Sequence, residues 1–140
     1  MRRRIILAAI AAVALAVIGL RLLPDDGNRD TSGSGAALAD VTVPPLTGAA
    51  LEGKAVFDAH CAACHGENAA GRDGAGPPLV HTIYRPAHHA DASFILAARN
   101  GVIAHHWSFG NMPPVPQVND EEVARVIAYV RRLQEANGIH

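Results

Sequence analysis

Cys61-Ala62-Ala63-Cys64-His65 is the stretch that decides the reading of this 140-residue chain. Two thiols three residues apart lie on one face of a helical turn, and the imidazole that follows falls beside that face. Cys-x-x-Cys-His is the attachment signature of c-type haem. Each sulfur can form a thioether with one vinyl group, and His65 can then reach the iron. The motif predicts haem c, one per chain, held by Cys61 and Cys64 with His65 as an axial ligand. Rival readings fit less well. A dithiol redox site belongs in a βαβ context, and no strand–helix alternation is present. A structural zinc site takes four ligands, usually as two separated pairs, and the chain has only two cysteines. A tetrahedron made from His60, Cys61, Cys64 and His65 would be strained. A disulfide between the two cysteines would close too short a loop to gain much chain entropy.

Upstream of the motif, Arg2-Arg3-Arg4 precedes an apolar run from Ile5 to Leu20, interrupted by Arg21 and continued by Leu22 and Leu23. At helical rise the stretch 5–23 spans roughly 28 Å, close to the hydrocarbon thickness of a bilayer. The segment reads as a signal anchor over 1–23 or as a cleaved secretory signal. Arg21-Leu22-Leu23-Pro24 is a poor cleavage site, and Ala37-Leu38-Ala39 lies far downstream of the run, so the anchor is favoured. In either case the arginines stay inside and the rest is exported. This predicts a single-pass protein of the bacterial inner membrane with its haem domain in the periplasm. Residues 24–45 carry Asp25, Asp26, Gly27, Asp30, Ser32, Gly33, Ser34 and Gly35 without apolar periodicity, the composition of a flexible linker.

Residues 46–140 form the expected folded domain. They hold seven basic and nine acidic residues, which argues against a nucleic-acid partner because such partners select basic surfaces. Lys54 is the one lysine, so a lysine-ringed docking face is excluded. The whole chain has one Trp, two Tyr and three Phe, a thin supply of core for so small a domain. A buried haem would add the missing apolar bulk, and the domain without it is expected to fold poorly. The fold class is all-α, with three to four helices around the haem. A first helix begins near Thr47 and leads through Leu51, Val56 and Phe57 into the cysteines. A shorter one runs from Asp91, as cap, to Arg99, closed by Asn100-Gly101. The last is the clearest. Asn119 and Glu122 make a capping box, and Val118 and Val123 are placed for a hydrophobic staple. Val123, Val126, Ile127, Val130 and Leu133 make one apolar stripe, and Gly138 is a stop.

These features together resemble the class I c-type cytochromes over residues 47–140. The resemblance implies that the first and last helices cross, with Gly53-x-x-x-Phe57 meeting Val126-x-x-Tyr129. It also implies that Gly76-Pro77-Pro78-Leu79 is the loop whose proline carbonyl, here that of Pro77, accepts a hydrogen bond from the ligand histidine. Met112, followed by Pro113, stands where the family places its distal ligand. A neutral thioether there favours reduced iron and raises the potential. His81, His88, His89, His105 and His106 compete for that role.

Eight histidines depart from the usual small cytochrome. Imidazoles suit copper, zinc and nickel, so a second metal, copper among them, is one reading of the paired histidines; surface or propionate-contacting histidines is the other. Trp107, Tyr84, Arg85 and Arg99 are candidates to partner buried propionates. No acid–base or nucleophilic constellation stands out, so the chain is not expected to be an independent enzyme. The sequence points to a membrane-tethered one-electron carrier whose partners are membrane oxidoreductases or oxidases. The alternatives are a haem subunit of a larger oxidoreductase, and a metal-handling or sensor protein.

Overall fold

A computed structural model of the protein describes residues 34–140. The apolar stretch 1–23 and residues 24–33 lie outside the described residues. Four α-helices occur in the described part: α1 (Gly48–His60), α2 (Ala62–His65), α3 (Asp91–Asn100) and α4 (Asp120–Ala136). Single 3₁₀ turns occupy Glu67–Ala69 and Thr82–Tyr84. Extended pairing among the described residues is limited to two isolated bridges, Arg72 with Gly76 and Val102 with Met112. The all-α reading holds. Among the described residues, no helix is long and apolar enough to cross a membrane.

The longest helix among the described residues, α4, forms where its sequence asks it to. Glu122 N–H donates to Asn119 Oδ1 at 3.0 Å, and Asn119 N–H donates to Glu122 Oε2 at 2.9 Å. This reciprocal pair satisfies two otherwise orphaned donors. At the other end, Gly138 N–H donates to the Glu135 carbonyl and Ile139 N–H to the Gln134 carbonyl, the paired bonds of a Schellman stop. Between them Val123, Val126, Ile127, Val130 and Leu133 are buried along one side. Tyr129 is buried as well, and so is Gln134.

α1 crosses α4 at Gly53. A Cβ there would overlap the carbonyl carbon and oxygen of Arg125 and stand 2.9 Å from Val126 N. Only a residue without a side chain lets the two backbones approach this closely. One turn further on, Phe57 packs on Tyr129 with ring centroids 5.5 Å apart, a tilted aromatic pair. Both are fully buried, and Ala69, Leu79, Val80, Val126, Val130 and Leu133 complete the core around them.

Two details differ from the sequence-based expectation. Asp91 is the first residue of α3 and Ala90 its N-cap. The Asp91 carboxylate accepts from Arg131 Nε at 2.8 Å, so it is committed to α4 and does not cap its own helix. Residues 34–45, which by composition belong to a flexible linker, are tied to the domain. Leu38 and Ala39 donate to the Ala70 carbonyl, and Gly35 to that of Asp73. Thr42 exchanges two bonds with the Asn137 side chain, each 2.9 Å. Val41 packs against the core.

Candidate functional site

The α1–α4 crossing delivers the Cys-x-x-Cys-His segment to one wall of a cavity. α1 ends as Cys61 N–H donates to the Phe57 carbonyl at 2.8 Å. The chain then turns sharply. Cys64 N–H and His65 N–H both donate to the Cys61 carbonyl, which gathers the two sulfurs and the imidazole within one turn. Gly66 ends that turn at φ 73°, in the left-handed region that favours glycine. The loop beyond folds back so closely that a Cβ on Gly76 would stand 2.8 Å from the Cys64 carbonyl oxygen.

This return brings Pro77 over His65. His65 Nδ1 lies 2.9 Å from the Pro77 carbonyl oxygen. A carbonyl only accepts, so Nδ1 carries the proton and Nε2 keeps its lone pair. Burial pushes the His65 pKa down, against the opposing effect of the Pro77 bond. The ring is therefore held neutral, with its tautomer set by the backbone, which is the arrangement of a metal-ligating histidine. Burial pushes the Cys61 thiol up to about 11, with a further contribution from Cys64. A redox dithiol needs the opposite, a thiol that ionises easily.

The cavity has a volume of about 550 Å³ and is lined by Cys61, Cys64, His65, Pro77, Trp107 and Met112 among others. Its size falls within the roughly 300–1,000 Å³ of small-molecule sites. Met112 comes from the loop between α3 and α4. Its N–H and C=O are both paired with Val102, at 3.0 and 2.9 Å, so the backbone that carries the thioether is clasped. Trp107 stands edge-on to His81 with centroids 5.1 Å apart. Its Nε1 is buried and has no hydrogen-bond partner in the protein. A buried N–H left unpaired is costly, and an acceptor on a bound group would satisfy it. Two thiols, an imidazole lone pair, a thioether and an orphaned indole N–H around one largely apolar space fit a covalently attached haem with its propionates.

These six sequence-derived candidates thus share one cavity, and Tyr84, His89, His105 and His106 line it too. Arg85 and Arg99 do not line it. Arg85 donates to the Thr82 carbonyl at 3.0 Å, and Arg99 is drawn to Asp120 at the start of α4. Sequence reasoning missed the clasp of Met112 by Val102, which local patterns do not mark. It also missed Gln134, a polar residue whose position four after Val130 puts it on the buried stripe. Gln134 Nε2 donates to the carbonyls of Leu79 and Tyr84, at 2.8 and 3.1 Å. Of the remaining histidines, His81 accepts from Ile83 N–H, while His89, His105 and His106 line the same cavity and His88 meets His106.

Compared with known protein families, the chain matches the model described as cytochrome c over residues 50–134. No curated protein matches the chain.

Proposed function

Because the chain belongs to the cytochrome c family, with covalent haem c and a role in electron transfer, we propose that it is a single-haem carrier tethered to the periplasmic face of the bacterial inner membrane, its iron bound between His65 and Met112. The observation that carries this reading is that His65, with its tautomer set by Pro77, and the clasped Met112 line one cavity together with Cys61 and Cys64. Cys61 and Cys64 would hold the cofactor, and Trp107 would donate to a propionate. When bound, haem c supplies a metal that changes oxidation state by one electron. The protein's own residues keep that change free of rearrangement. His65 stays neutral and oriented, and Met112 sits on backbone paired at both N–H and C=O. A neutral thioether opposite an imidazole favours the reduced state. The tether is supported by Arg2-Arg3-Arg4 followed by the apolar run from Ile5.

A redox-titrated visible spectrum of the haem-loaded protein tests the ligation. The oxidised form should show the weak sulfur-to-iron charge-transfer band at the red edge of the visible range, and Met112→Ala should remove it and lower the midpoint potential. An identical spectrum in Met112→Ala would overturn the distal assignment. Retention in the membrane pellet after alkaline carbonate washing tests the tether; release into the supernatant would refute it.

A further inference from the structure

Four imidazoles from two separate histidine pairs converge at the haem cavity, whose lining includes His89, His105 and His106. His88 and His89 lie on the turn after Tyr84, where the N–H groups of both donate to the Arg85 carbonyl. His105 and His106 lie on the loop after α3. His88 Nε2 and His106 Nε2 are 3.4 Å apart. One ring nitrogen from each of His88, His89 and His106 lies within 4.8 Å of the other two, the one such cluster among the described residues. The His105 ring is 4.4 Å, centroid to centroid, from that of His106.

The spacing has a chemical meaning. A tetrahedral metal with metal–nitrogen bonds of about 2.0–2.1 Å sets its nitrogens about 3.3–3.4 Å apart. The pair His88–His106 already has that separation. His89 supplies a second and independent sign. Its Nδ1 lies 2.8 Å from the Ile83 carbonyl oxygen, so Nδ1 bears the proton and Nε2 keeps a free lone pair. A backbone carbonyl that orients the far side of the ring is the usual support of a metal-bound histidine. His105 repeats the pattern against the Ile103 carbonyl, also at 2.8 Å. His88 and His106 are exposed and His89 half-buried, so the site is open to an entering ion.

We propose that His88, His89 and His106 form a second metal site, separate from the haem iron, that takes one divalent late transition ion through three imidazole nitrogens, with a fourth position open to water or His105. An all-imidazole donor set selects this class over magnesium or calcium, which prefer oxygen. Within the class, the general affinity order places Cu²⁺ above Zn²⁺. Without a metal, the same geometry is simply a hydrogen bond between two imidazoles.

Calorimetric titration of the untagged, full-length, haem-loaded protein in its oxidised state, with Zn²⁺ alone and with Cu²⁺ alone, decides between these. One equivalent of each ion should bind, Cu²⁺ the more tightly, and the electron paramagnetic resonance of bound Cu²⁺ should show coupling to several nitrogens. His88→Ala and His106→Ala should each weaken binding by about tenfold or more, on the scale by which disturbed metal shells lose affinity. His88→Gln, which keeps the side chain's bulk and polarity, should weaken it comparably, so the loss cannot be laid to misfolding. His60→Ala and His140→Ala should bind as the parent does. Absence of stoichiometric binding by either ion, or undiminished affinity in His88→Ala/His106→Ala, would overturn the site.

Discussion

Gly53→Ala sets two effects of opposite sign against each other. In an exposed helix the change is favourable by about 1 kcal/mol, because alanine loses less backbone entropy than glycine. Here the added methyl would overlap the Arg125 carbonyl and stand 2.9 Å from Val126 N. Ordinary carbon contacts lie at about 3.5–4.0 Å, so α1 and α4 must part by something on the order of 1–2 Å. Both obstructing groups are backbone in the middle of α4, and neither can swing aside. Overpacking of this kind costs typically about 1–3 kcal/mol, and the rigidity of the obstacle places this case at the upper end. The parting also loosens the Phe57–Tyr129 pair, worth about 1 kcal/mol beyond its buried area. About 4 kcal/mol lost against about 1 gained leaves roughly 3 kcal/mol of destabilisation. At about 4–8 °C per kcal/mol for a domain of this size, the Tm of the haem-loaded protein should fall by roughly 12–24 °C. Thermal unfolding followed by far-ultraviolet circular dichroism measures it. A Gly53→Ala protein that melts at or above the parent temperature would show that helix propensity wins, and the close crossing would have to be abandoned.

Asn119→Ala removes the acceptor for Glu122 N–H and should cost about 1 kcal/mol, read as a Tm lower by a few degrees; no change would mean that the capping box contributes nothing. Tyr129 gives an alkaline signature. Burial, followed by the carboxylates of Asp58 and Glu67, pushes its phenol up to about 12. The unfolded chain releases this proton near pH 10 while the folded one still holds it. The phenol's contribution to stability is therefore full below pH 10 and is lost as pH rises toward 12. Tyr129→Phe should flatten that part of a base-unfolding curve, and superimposable curves from the two proteins would contradict the shift. Cys61→Ala/Cys64→Ala, matured without haem, should show weak helicity and a broad, poorly cooperative melt; native-like circular dichroism would count against the cofactor as core.

How much of this was legible in the chain depended on the range of the interaction. α4 could be read closely, because its capping box, apolar stripe and terminal Gly138 are all local. The Cys61–His65 motif was equally plain, and the family likeness carried the reading on to Pro77 and to the crossing at Gly53. What escaped was held by contacts between distant segments. Thr42 and Asn137 are 95 positions apart, and nothing in the composition of residues 34–45 announces that bond. Arg131 reads locally as a cation suited to the C-terminal half of a helix. In the fold its guanidinium reaches Asp91, the carbonyls of Tyr84 and His89, and the ring of Phe94, 4.9 Å from the centroid. The same bond explains why Asp91 leaves the capping position to Ala90. The histidine pairs were visible as pairs, but only the tertiary fold sets one against the other.

One helix serves both sites. The first half of α4 receives α1 at Gly53 and so positions Cys61, Cys64 and His65. Its second half holds, through Arg131 and Gln134, the backbone of the segment that ends in His88 and His89. The facing residues come from a single loop that runs from Val102 to Met112. The two backbone bonds between those residues close its base, and Asn111 Oδ1 accepts from Ala104 N–H just inside. His105 and His106 stand beyond that clasp, and Met112 stands at it. An ion joining His106 to His88 and His89 would therefore anchor the outer part of the very loop that presents the thioether, to a turn already bonded to α4. The clasp pairs the base of that loop, so the backbone of Met112 is held by Val102 without any call on the ion.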